Sequence, residues 1–153
     1  MAYLKSDEIL GSSSGGTFYG IATKAIELGY EVCGCIWNEE QRAIHVFAND
    51  IETLAKMQGS KYVQSDLQNC YTEIQNKLME GKKVLFSGTP CQIAGLHRLI
   101  GYDENLVTLG LICEGTPSPL VFKRWKEYLE EKYGSNIISV KLRKKGRYGW
   151  KSP

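Results

Sequence analysis

The residues best suited to chemistry in this chain are Gly88-Thr89-Pro90-Cys91-Gln92. They lie between Lys83-Val84-Leu85-Phe86-Ser87, which reads as a short apolar strand, and Ile93, Ala94, Leu96, Leu99 and Ile100, which recur at helical spacing. Cys91 therefore falls at a helix start, where unpaired backbone amides attract negative charge and favour the thiolate that binds metal or attacks an electrophile. The same grammar returns at Leu106 to Ile112, which leads into Cys113, then Glu114-Gly115-Thr116-Pro117-Ser118-Pro119 and another helical pattern. Strand, turn, helix, strand is how a chain crosses between parallel strands. As parallel neighbours, the two strands put Cys91 and Cys113 at one carboxyl edge, where open α/β sheets place their ligands. The residues alone leave three roles open for each cysteine: a buried small hydrophobe, a redox or nucleophilic thiol, or a cluster ligand.

Two further stretches suit an anion or a cofactor. Ser12-Ser13-Ser14-Gly15-Gly16 precedes a helical stripe of Phe18, Ile21, Ala22, Ala25 and Ile26, so its glycines and hydroxyls can offer donors to phosphate beside a helix start. No Gly-Lys-Ser/Thr follows, which excludes a Walker loop, and a flexible cap is the plainer alternative. Gly59-Ser60-Lys61-Tyr62-Val63-Gln64-Ser65 mixes a charge, an aromatic and small polar groups, and reads either as a cofactor contact or as a solvated loop whose Tyr62 and Val63 plug the core. Cys33 and Cys35 share one strand face among apolar neighbours and read as core, as do Cys70 and His45. His97 follows Cys91 by too many residues for a direct Cys-His dyad on one helix.

The elements that must carry these loops follow one another with short turns. Gly29 is placed to cap the first helix. Tyr30 to Trp37 and Arg42 to Ala48 read as a hairpin around Asn38-Glu39-Glu40-Gln41. Asp50 is an N-cap for a short helix ending at Gly59, and Asp66 is expected to open the next, with Leu67, Tyr71, Ile74 and Leu78 on one face. Ile138, Val140 and Leu142 alternate as in a final strand. The order loop, α, β, β, α, α, β, α, β, α, β predicts an α/β fold: a single domain over residues 1–153 with a mixed, mostly parallel sheet flanked by helices.

Composition agrees with one globular domain: 153 residues, 42% hydrophobic and 24% charged. No apolar run is long enough for a membrane helix, and no secretory signal opens the chain, so a cytoplasmic location is expected. Five cysteines, an odd number, do not form the framework of a small secreted protein and are expected to be reduced. The formal charge of +2 is uneven, because Lys141, Arg143, Lys144, Lys145, Arg147 and Lys151 all follow Lys132, where no acid occurs. A strand with one solvated face explains this basic end, and contact with a dinucleotide's pyrophosphate is the sharper reading. Nucleic acid is not expected, since neither a binding motif nor an aromatic platform accompanies the charge.

Four strings in order, SSSGGTF (12–18), GSKYVQS (59–65), GTPCQIAGL (88–96) and CEGTPSP (113–119), resemble the coenzyme F420 hydrogenase/dehydrogenase beta-subunit family. The resemblance runs from about Ser12 to Trp150 and covers only an interior part of a typical member. It implies a flavin-dependent, iron-sulfur-associated oxidoreductase domain that exchanges hydride with a two-electron carrier and passes electrons to a 4Fe-4S cluster. It implies FAD contacts at Ser13, Ser14, Gly15, Gly16, Ser60, Lys61, Tyr62, Gln64 and Thr89, with Cys91 and Cys113 as two cluster ligands. The family's remaining ligands come from a downstream Cys-x-x-Cys pair that does not occur before Pro153, so the ligand set is incomplete and this segment by itself is expected to be inactive. Glu114 stands where the family's third motif has histidine. A redox partner protein or electron carrier is implied, and a homodimer is expected from an exposed sheet edge. The alternative function is a nucleotide-binding or interaction module that keeps the scaffold without the redox centre.

Overall fold

The structure, a computed structural model, describes residues 11–143. Helix α1 (Thr17–Glu27) ends at Gly29, whose φ of 80° is the left-handed turn that glycine adopts without penalty. The chain then forms β1 (Tyr30–Trp37) and β2 (Ala43–Ala48), an antiparallel pair in which Trp37 faces Ala43. Helix α2 (Ile51–Lys56) opens on Asp50, whose carboxylate accepts from the Thr53 amide at 2.7 Å. Helix α3 (Cys70–Met79) leads to β3 (Lys83–Gly88), α4 (Pro90–Ile100), β4 (Leu106–Gly110) and α5 (Pro119–Tyr133).

The strands lie in the order β2-β1-β3-β4, and β1, β3 and β4 are parallel. This is an α/β domain with a mixed, mostly parallel sheet between helices. Alternation along the strands divides the core. Val32, Ala48 and Leu85 pack on one face with Ala22 and Ala25 of α1 and Leu54 of α2, while Cys33, Val84 and Phe86 pack on the other with Cys70, Ile74 and Leu78 of α3 and Leu96 of α4. Beyond the end of β1, Phe122 of α5 stacks on Trp37 at 5.3 Å, and Val140 and Leu142 close over the same patch.

Three expectations change. Asp66 does not open α3, which starts four residues later. Its backbone instead bridges the outer side of β2, accepting from the His45 amide and donating to the Ala43 carbonyl at 2.9 Å each, because β2 is an edge with free groups to pair. The strand ending in Ile112 stops at Gly110, and Ile112 is fully exposed. Residues 138–143 form no strand: Val140 and Leu142 are held by side-chain packing without a ladder. Lys144, Lys145, Arg147 and Lys151 of the basic end lie outside the described residues.

Candidate cofactor cleft and thiol edge

The loop 59–65 is the hub of the carboxyl edge. The Ser60 amide donates to Ser13 Oγ, which ties the hub to the serine-glycine loop. Gln92 Nε2 donates to Ser65 Oγ at 2.9 Å, and the Gln64 amide donates to the Pro117 carbonyl at 3.1 Å. The four motifs, scattered over more than a hundred residues, thus meet through one seven-residue loop. Val63, almost fully buried with Ala43 and Phe122, is the plug that anchors it, while Tyr62 stays exposed and accepts from the Arg143 guanidinium at 3.2 Å. That bond holds the Tyr62 phenol below its usual range.

Beside the hub lies a cleft of about 280 Å³ at the carboxyl end of β1, lined by Gly11, Ser12, Ser13, Trp37, Gln58, Gly59 and Ser60 on one side and Val140 to Arg143 on the other. Gly16 starts α1 with φ 80°, and no side chain caps that helix, so its first amides keep their partial positive charge. Serine hydroxyls, an aromatic ring and the cations Lys141 and Arg143 make this surface suited to a phosphate-bearing ligand. Its volume fits the phosphate portion of a dinucleotide; whole ligands of that class fill larger pockets, roughly 300–1,000 Å³. Of the sequence-predicted contacts, Ser13 and Ser60 line the cleft, Gly16 is buried at the α1 start, and Ser14 and Gly15 are exposed in the loop between. Gln64 gives its main-chain amide to the Pro117 link, and its exposed side chain does not line the cleft.

Lys61 is not among the residues that line the cleft. Its ammonium turns back to the end of α2, within 2.9 Å of the Met57 carbonyl, 3.0 Å of Gln58, 3.1 Å of Gly59 and 3.3 Å of Lys56. Burial lowers this amine to about 8, and the neighbouring Cys35 sulfur acts against that shift. Beneath it, burial pushes the Cys35 thiol up to about 11 and holds the His45 imidazole below its usual value. His45 Nε2 donates to the Ser87 carbonyl at 3.1 Å, which leaves Nδ1 unprotonated and, among the described residues, without a partner.

Cys91 and Cys113 sit at the two neighbouring parallel strand ends. Gly88 and Gly110 are the last paired residues of β3 and β4, and each cysteine follows its glycine by three positions. Both thiols are exposed. Thr89 caps α4 in a capping box with Gln92, Pro90 takes the first helical position, and the Thr89 hydroxyl lies 3.1 Å from the Cys91 sulfur. Tyr71 Oη donates to the Gln92 carbonyl at 2.6 Å and steadies this first turn. The Cys113 sulfur accepts from the Gly115 amide at 3.4 Å. Among the described residues, no three cysteines, histidines or carboxylates come close enough together to hold a metal ion. Cys33 and Cys70 are buried in the core, and His97 is exposed on α4.

Sequence reasoning gave Trp37, Tyr71 and Gln92 no individual role at the site. The available signal for Gln92 was Thr89 three residues before it, the spacing of a capping box. Trp37 had no signal beyond lying at a strand's carboxyl end.

Residues 81–151 match the family model for the C-terminal part of the coenzyme F420 hydrogenase/dehydrogenase beta subunit. Among solved structures, a chain of the F420-reducing NiFe hydrogenase complex from Methanosarcina barkeri is similar in fold, with a TM-score of 0.65 and 22% identity. The alignment covers 80% of this chain and 46% of that one, so this chain spans less than half of its relative's length. No curated protein matches the sequence. The family match contains both thiol turns, while the serine-glycine loop and the hub lie before it. Residues 81–151 are thus similar to the C-terminal part of the coenzyme F420 hydrogenase/dehydrogenase beta subunit, and the chain shares the fold of the hydrogenase chain.

Proposed function

We propose that this chain is the nucleotide-binding part of a flavin-dependent oxidoreductase, with the cleft beside the hub taking the pyrophosphate of FAD. One observation carries the reading: the hub loop is hydrogen-bonded to the serine-glycine loop and to both cysteine turns. In this reading Ser13 and Ser60 line the phosphate site, the α1 amides and the Lys141 and Arg143 cations attract its charge, and Trp37 walls off water. Thr89, Tyr62 and the Gly15-Gly16 turn are the further contacts of this proposal. A bound flavin supplies hydride and single-electron exchange; the chain binds, orients and tunes. The redox partner protein or electron carrier, a cytoplasmic setting and a homodimer belong to this proposal.

Cys91 and Cys113 suit a 4Fe-4S cluster as two of its four thiolates, exposed at adjacent strand ends, but the described residues do not complete the set. Glu114, which stands beside Cys113 where the resemblance has histidine, favours a second reading, a nucleotide-binding module without a redox centre. Anaerobic reconstitution with iron and sulfide separates the two: bound iron that falls in Cys91→Ser and Cys113→Ser supports cluster ligation, and iron content that ignores both substitutions supports the module. The primary test is a titration of the 153-residue chain with FAD, followed by flavin fluorescence. Saturable binding that weakens in Arg143→Ala and with rising salt is expected, and a folded chain that leaves flavin fluorescence unchanged overturns the proposal.

A further inference from the structure

We infer that Lys61 is the positioning residue of the cleft: its ammonium, turned into the carbonyls at and just past the end of α2, holds loop 59–65 in the shape that joins the four motifs. The loop reaches that shape by a reversal. Gly59 takes φ 84°, the chain doubles back, and the Lys61 side chain returns over the helix end just left. The carbonyls it meets run from Lys56, the last residue of α2, and its cap Met57, whose groups have no partner within the helix and carry the negative end of its dipole, to Gln58 and Gly59 just past it. Three N–H groups are shared among four acceptors, and each bond is charge-assisted.

The main chain uses the same residue. The Lys61 carbonyl accepts from the Val63 amide at 2.8 Å, and the tight turn this makes drives Val63 into the core. Ser60, on one side of Lys61, then presents its amide to Ser13, and Gln64, on the other, presents its amide to Pro117. Among the described residues Lys61 pairs with no carboxylate; the groups facing it are Cys35 from β1 and His45 from β2, both held neutral near pH 7. Carbonyl dipoles alone balance the cation, so removing the charge leaves the helix end unsatisfied and the turn unsupported. A cation committed in this way acts on a ligand through Ser60 and Ser13. The part of the inference that concerns ligand affinity rests on the FAD reading above; the part that concerns the loop does not.

Lys61→Met and Lys61→Arg test it with two readouts on the whole chain: amide hydrogen exchange at Ser60 and Gln64 without ligand, and FAD affinity. Lys61→Met is expected to speed exchange at both amides and to weaken FAD, each by about tenfold or more, while Lys61→Arg, which keeps charge and donors, restores both to within about threefold of the wild type. Lys61→Gln, uncharged but still a donor, supplies the comparison if Lys61→Met does not fold. Wild-type exchange at Ser60 and Gln64 in Lys61→Met, or an arginine variant no better than the methionine one, overturns the inference. If wild-type protein ignores FAD while Lys61→Met still frees the two amides, the flavin reading falls and the positioning role stands.

Discussion

Replacing Gly88 by alanine places a methyl group where the structure has no room for one. Its Cβ stands 2.7 Å from Phe86 Cε1, 2.9 Å from Cζ and 3.0 Å from Gln92 Oε1. The Phe86 ring cannot retreat, since it is fully buried between His45, stacked at 5.4 Å, and the edge-on Tyr71 at 6.0 Å. Gln92 cannot retreat without releasing the Thr89 amide at 3.0 Å and undoing the box that caps α4. Overpacking of a core costs about 1–3 kcal/mol, and a lost cap about 1 kcal/mol more. The sum, about 2–4 kcal/mol, moves a urea midpoint down by about 1–2 M for an m-value near 2 kcal/mol/M. Urea unfolding followed by circular dichroism measures it, with Gly15→Ala as control, because nothing lies within 4 Å of a Cβ at Gly15. The control is expected to stay within about 0.5 kcal/mol of the wild type. A Gly88→Ala midpoint equal to that of the control refutes the argument that packing at this turn fixes the start of α4.

Acid titration isolates His45: its folded pKa is depressed by burial, so the stability tied to its neutral form is complete above the unfolded value, about 6.5, and is lost as pH falls through the lower folded value. Replacement by glutamine, which can still donate to the Ser87 carbonyl, is expected to flatten the unfolding midpoint between pH 7 and pH 5, and an unchanged acid slope contradicts the assignment. Tyr71→Phe removes the 2.6 Å bond to the Gln92 carbonyl and is expected to cost about 1 kcal/mol and speed Cys91 alkylation at fixed pH; equal alkylation rates count against a positioning role for that hydroxyl. Lys77 meets Glu31 at 2.8 Å in a mostly buried setting and lies 4.8 Å from the centre of the Phe47 ring. A double-mutant cycle of Lys77→Met with Glu31→Gln is expected to give a coupling of about 0.5–1 kcal/mol, and zero coupling removes the pair from the stability account.

What the sequence made legible follows from where the physics is local. Alternation and helical spacing gave α1, β1, β3 and α4 closely, because apolar period and capping residues such as Asp50 and Thr89 act within a few positions. Asp66 misled because an aspartate is as good at bridging an unpaired strand edge as at capping a helix, and only the neighbouring β2 decides between them. Residues 138–142 misled for the opposite reason: they alternate like a strand, but Val140 and Leu142 pack in the cluster of Trp37 and Phe122 without a backbone ladder, and Ile138 is exposed. At the cleft, the motif residues were visible as types and their partners were not. Nothing near Lys61 in sequence announces that its charge is consumed by the turn before it, since that depends on the reversal at Gly59.

The matched positions of Cys91 and Cys113 make the sheet a ruler for whatever spans them. Each thiol is counted off from the same rung, Gly88 opposite Gly110, and the parallel ladder holds the two rungs at the interstrand spacing of about 4.8 Å. Lengthening both turns by one residue keeps this equal count from the shared rung, whereas lengthening one turn alone breaks it. Paired changes of turn length are therefore tolerated by a bridging group, and single ones are not, even where every cysteine remains.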